Sequence, residues 1–122
     1  MNFLIIDDSG VMRRIHKNIL LDHKIEESNL FEAENGEIAV TIAKENTIGL
    51  FLVDWNMPKL DGLKFVQIIR ALPQYADTPI IMITSEAARY NVVDAISAGV
   101  TNYVVKPIKG DVLWEKISRY VK

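Results

Sequence analysis

Five short apolar runs, each followed by a segment of helical periodicity, constrain this chain more than any other feature. The runs cover residues 3–6, 29–33, 50–54, 79–83 and 101–105. Between them, apolar residues recur at helical spacing. Val11, Ile15 and Ile19, with Met12 and Leu20, mark a first helix through about Leu21. Ile38, Ala39, Ile42 and Ala43 mark a second, and Leu63, Val66 and Ile69 a third that Pro73 stops. Val92, Val93 and Ile96 carry a fourth, with Gly99 suited to the position just past its end. Leu113, Trp114, Ile117 and Val121 carry the last. Ser9, Asn35 and Asp61 stand where helix caps belong.

Strict strand–helix alternation with right-handed crossovers gives an α/β fold, a parallel five-stranded sheet with helices on both faces. The runs at 3–6, 50–53 and 80–83 are the most uniformly apolar and are expected in the centre. The run around Leu30 contains Glu32 and is expected at an edge.

The bulk properties narrow the function. The chain has 122 residues, enough for one domain with its own core, and 49% of them are hydrophobic. There is no cysteine, which removes thiol catalysis, thiolate metal sites and disulfides together. That suits a reducing cytoplasm, the expected location. A net charge of −2 gives no basic field for nucleic acid. No apolar run approaches the ~20 residues of a membrane span.

In a parallel sheet the carboxyl ends of all strands share one rim, where ligands bind in open α/β folds. Asp7 and Asp8 follow the first run, Asp54 ends the third, Thr84 and Ser85 follow the fourth, and Lys106 follows the fifth. Three neighbouring carboxylates repel; some must protonate or share a cation. A hard divalent ion such as Mg²⁺ suits oxygen ligands, and zinc has no His or Cys at the rim to hold it. His16 and His23 fall on the first helix and are expected at or near the surface. A carboxylate beside a cation and a lysine is a competent nucleophile toward phosphorus. The residues alone leave two readings open, phosphoryl chemistry at Asp54 and a plain Mg²⁺ or capped-loop cluster.

The ordered set resembles a known family. Asp7-Asp8, Asp54 after an apolar strand, Met57-Pro58-Lys59-Leu60-Asp61-Gly62, Thr84 and Lys106-Pro107 are similar to the receiver domains of bacterial two-component response regulators. The resemblance covers the whole chain, residues 1–122, with no output domain. It implies a flavodoxin-like (βα)5 three-layer sandwich of strand order 2-1-3-4-5. It also implies residue roles. Asp54 would accept the phosphoryl group. Asp8, Asp54 and the backbone carbonyl of Asn56 would bind Mg²⁺, with Asp7 acting through water. Lys106 would pair with the phosphoryl group, Thr84 would turn its hydroxyl onto it, and Tyr103 would move inward behind Thr84. Lys106-Pro107 would be a cis peptide.

Trp55, Asn56, Glu86 and Tyr103 further resemble the single-domain chemotaxis regulators of that family. This implies a phosphorylation-activated switch that catalyses only its own phosphorylation and dephosphorylation. A histidine kinase would be the donor, a flagellar motor switch protein the target, and a phosphatase a further partner of a monomeric protein. Ala87, Tyr90, Tyr103, Val105 and Lys116 are candidate contacts, although ordinary packing would account for any one of them.

Family members often cap the last helix with a small hydroxyl residue. Here Lys109-Gly110-Asp111 stands instead, so that helix is expected to start late, at Asp111. Three alternatives remain. A phosphate sink would use the same chemistry without a motor target. A phosphatase of the haloacid dehalogenase type would need an acid two residues after its nucleophile, where this chain has Asn56. A nucleotide- or flavin-binding domain would need glycines where the first loop has Asp7-Asp8-Ser9-Gly10.

Overall fold

A computed structural model describes residues 1–55, 62–85 and 91–121, with backbone alone at Asn91 and Val92. The strands are β1 (Phe3–Ile6), β2 (Leu30–Ala33), β3 (Leu50–Asp54), β4 (Ile80–Thr84) and β5 (Asn102–Val105). The helices are α1 (Gly10–Asp22), α2 (Gly36–Glu45), α3 (Gly62–Ala71), α4 (Asn91–Ala98) and α5 (Gly110–Ser118). All strand pairs are parallel, in the order β2-β1-β3-β4-β5. This is the expected flavodoxin-like order. β1, β3 and β4 are wholly buried, whereas β2 at the edge leaves Glu32 exposed.

Alternation along each strand divides the core into two layers. Leu4, Ile6, Phe51, Val53, Ile80 and Met82 point into one, closed by Ala39, Ala43, Phe65, Val66, Ile69 and Ala95 from α2, α3 and α4. Phe3, Ile5, Leu50, Leu52, Ile81 and Ile83 point into the other, closed by Leu20, Leu113 and Ile117 from α1 and α5. Each fully buried side chain of this size contributes about 1.5–3 kcal/mol, so both layers hold the sheet.

Local signals account for the helix ends. Ser9 caps α1 by accepting from the Met12 N–H at 3.2 Å, and Asn35 caps α2 by accepting from Ile38 N–H at 2.9 Å. α4 ends at Gly99, whose φ of +117° disfavours a side chain; its N–H bonds the carbonyls of Ala95 and Ile96. α5 begins at Gly110, one residue earlier than expected, and Lys109 supplies no side-chain cap.

Two helices turn differently from the sequence expectation. On α1 the buried residues are His16 and Leu20, while Val11 is 70% exposed and Ile15 is also exposed. The inner stripe runs one position over, through Met12, His16 and Leu20, because a neutral imidazole packs there as an apolar ring would. His16 is therefore a core residue, not a surface one. On α4, Ala95 faces the core, and Val93 and Ile96 are exposed. The small alanine lets that helix lie close to the sheet and leaves the larger apolar groups outside.

Candidate functional site

The strand register builds the rim. Ile6 pairs with Val53, so Asp7 and Asp54 leave adjacent strands at the same level. Asp54 pairs with Ile83, and Thr84 with Val105, which sets Thr84 and Lys106 one step further out. The Lys106 N–H donates to the Thr84 carbonyl at 2.7 Å and fastens the two strand ends together. The Lys106–Pro107 peptide is cis, as expected.

The side chains converge. One oxygen from each of Asp7, Asp8 and Asp54 lies within 4.8 Å of the other two. Lys106 Nζ donates to Asp54 Oδ1 at 3.3 Å. Asp7 and Asp54 are buried and Asp8 is exposed. Asp7 Oδ1 accepts from the Ser9 N–H at 2.9 Å, but its Oδ2 is buried with no hydrogen-bond partner among the described residues. Burial raises the Asp7 carboxyl to about 6. The Ser9 N–H opposes that rise, as Lys106 does more weakly, and the charges of Asp54 and Asp8 add to it.

Three clustered carboxylates, one of them with an orphaned oxygen, fit a hard divalent cation and leave soft metals without ligands. Thr84 is fully buried beside this cluster, its hydroxyl donating, among the described residues, only a long 3.4 Å bond to the Ser85 carbonyl. Trp55 follows Asp54 directly, is buried, and lies against the start of α3. A Cβ on Gly62 would come within 2.6 Å of the indole, so this close approach requires glycine.

Among the remaining expected residues, Tyr103, Val105 and Lys116 are half-buried. Lys116 Nζ lies 5.2 Å from the Tyr103 ring centroid and donates to Asn102 Oδ1 at 3.3 Å. Asn56, Asp61, Glu86, Ala87 and Tyr90 lie outside the described residues.

The chain matches the response regulator receiver domain over residues 3–118. It belongs to that family. The receiver is 42% identical over 118 residues to a chemotaxis protein CheY homolog of Campylobacter jejuni, covering 96% of this chain and 89% of the relative. A crystallised CheY4 of Vibrio cholerae superposes with a TM-score of 0.89 at 29% identity, over 98% of each chain. The receiver domain of a Pseudomonas aeruginosa sensor histidine kinase was solved with a magnesium ion coordinated in its active site cleft. It is 25% identical, with a TM-score of 0.86 over 98% of this chain and 95% of that one. The receiver is thus a CheY-like response regulator of two-component signalling. The phosphatase-type and nucleotide-binding alternatives gain no support from these likenesses. None of the receiver's described helices is long and apolar enough to cross a membrane.

Beside the rim, His16 differs from its expected surface position, and Arg13 is not singled out by the sequence. His16 is buried, with neither ring nitrogen hydrogen-bonded among the described residues. Burial lowers it to about 4, helped by the Lys106 charge. Arg13 donates from Nη1 to the Asp7 carbonyl at 2.7 Å and from Nε to Glu32 at 3.2 Å. A cationic residue six positions after Asp7, in the first turn of the helix that follows it, is the only sequence trace of that contact.

Proposed function

We propose that Asp54 is the phosphoacceptor of this response regulator and that the rim is a switch. The observation that carries this is the Lys106–Asp54 contact of 3.3 Å at the mouth of the sheet, with Asp7 and Asp8 beside it. In the transfer, an Asp54 carboxylate oxygen attacks the donor phosphorus. A new P–O bond forms, and the donor's bond to phosphorus breaks with its electron pair leaving on the donor. A kinase phosphohistidine or acetyl phosphate would serve as donor.

Asp8 and Asp54 would hold Mg²⁺, with the Asn56 carbonyl as a third ligand and Asp7 acting through water. The ion would supply charge stabilisation for the phosphoryl oxygens. Lys106 already lies against Asp54 and would pair with the new anion as it forms. Thr84 makes one long hydroxyl bond among the described residues and would exchange it for a phosphoryl oxygen. Tyr103, half-buried one strand over, would follow inward, changing the surface shared with Val105 and Lys116. Ala87 and Tyr90 complete that surface in this reading.

The protein catalyses only its own phosphorylation and dephosphorylation, acts in the cytoplasm, and answers to a histidine kinase. Its target would be a flagellar motor switch protein, with a phosphatase as a further partner; the likeness to CheY proteins supports this. Because Trp55 adjoins Asp54, its fluorescence tests the reading. Mg²⁺ and then acetyl phosphate should each change the emission, and the bound phosphoryl group should be labile to hydroxylamine. Asp54→Asn should abolish the second change; a variant that still responds to acetyl phosphate contradicts Asp54 as acceptor.

A further inference from the structure

We propose that Arg13 is a positioning residue for the acidic rim, aiming Asp8 by fixing the plane of the Asp7–Asp8 peptide. This rests on reading the rim as a Mg²⁺-dependent phosphoacceptor site. The two acidic residues are held in different ways. Asp7 is 1% exposed, and its side chain is tied to the Ser9 N–H. Its own N–H donates to the Ala33 carbonyl at 3.1 Å. Asp8 is exposed, so neither burial nor packing sets its direction.

The peptide that joins the two residues contains the Asp7 carbonyl and the Asp8 N–H in one rigid plane. Arg13 Nη1 grips that carbonyl at 2.7 Å. Turning this plane would swing the Asp8 Cα and its carboxylate away from Asp7 and Asp54. The guanidinium is itself anchored, because its Nε bonds Glu32 Oε1 at 3.2 Å on the edge strand β2. Lys17 holds the other Glu32 oxygen at 3.7 Å and reaches Glu27 at 3.0 Å. A planar fork satisfies both partners at once, a geometry that lysine lacks. The chain of contacts therefore runs from the sheet edge, through one arginine, to the backbone of the acidic pair. A partly exposed ion pair would stabilise the fold by little, so a merely structural Arg13–Glu32 pair predicts no change at the rim.

The test measures Mg²⁺ affinity by Trp55 fluorescence, beside the thermal midpoint, for the intact protein and for Arg13→Ala, Arg13→Lys and Glu32→Gln. Groups that orient metal ligands from behind typically change affinity 10–100-fold. Arg13→Ala is expected near the lower bound, about tenfold weaker. Arg13→Lys reaches only one of the two acceptors and should fall between Arg13→Ala and the intact protein. Glu32→Gln leaves the carbonyl bond but loosens its anchor, and should weaken binding least. Mg²⁺ affinity unchanged in all three variants overturns the proposal. So does a loss of affinity that only tracks a fall in thermal midpoint, and should Arg13→Ala fail to fold, the other two variants decide. An intact protein that gives no Mg²⁺ response overturns the phosphoacceptor reading itself, and the role of Arg13 with it.

Discussion

The two ends of the sheet are built on opposite terms. At the amino end, Arg70 on α3 bonds the Gly99 carbonyl twice, at 3.0 and 2.7 Å, and the carbonyls of Tyr75 and Thr78 at 2.8 and 2.6 Å. It also reaches the Ala76 carbonyl and the Thr101 hydroxyl at 3.3 Å. The Tyr75 hydroxyl sits among the carbonyls of Ala43 and Asn46 and the N–H of Ile48. Backbone groups that the strand starts would leave unpaired are gathered onto two side chains. At the carboxyl end, polar groups are buried without that completion. Among the described residues, Asp7 has an orphaned oxygen, His16 has two unpaired nitrogens, and Thr84 has one weak bond. One end holds the fold together, whereas the other gives up stability to keep atoms available for a ligand.

Breaking the amino end should have the larger effect. Arg70→Ala strands several loop carbonyls and is expected to cost about 4 kcal/mol in urea unfolding, while acetyl phosphate still modifies the folded fraction. A loss confined to phosphorylation would reverse the contrast drawn between the ends.

His16 offers the next effect. Its folded value near 4 lies below the ordinary 6.5, so the neutral ring's stability is present above pH 6.5 and is lost as pH falls toward 4. The loss amounts to about 3 kcal/mol. His16→Val removes that titration, so its stability relative to the intact protein should grow by this amount between pH 6.5 and 4. Parallel stability profiles would show that the imidazole is hydrated and not buried neutral.

Asp7 gives a smaller effect of opposite sign. Its folded value near 6 exceeds the ordinary 3.8, so its contribution is complete below pH 3.8 and is lost as pH rises through 6. Without metal, Asp7→Asn, which keeps the acceptor for Ser9, should be more stable than the intact protein by about 1–2 kcal/mol at pH 7.5. Below pH 5 the difference should narrow. Added Mg²⁺ should raise the thermal midpoint of the intact protein more than that of the variant.

These contrasts explain what was readable in advance. The strands were legible because runs such as Leu50–Asp54 are buried on both faces and need no partner to be recognised. The rim was legible because a parallel sheet brings Asp7, Asp54, Thr84 and Lys106 to one edge from their order alone. The side-chain links were not. Arg70 reaches Gly99 across 29 positions, and Arg13 reaches Glu32 across 19, with nothing local to announce either contact. His16 was misplaced because its polarity hid an apolar environment. Val93 and Ile96 marked α4 correctly but lie outside, because Ala95, a small residue, carries its inner face.

The central claim is that the incomplete end of the sheet is completed by a phosphoryl group on Asp54. Peptide mass spectrometry after treatment with acetyl phosphate and Mg²⁺ tests it most directly. A single phosphoryl group is expected on the peptide carrying Asp54, absent without Mg²⁺ and absent in Asp54→Asn. A phosphoryl group on any other residue of the intact protein, or none at all, would contradict it.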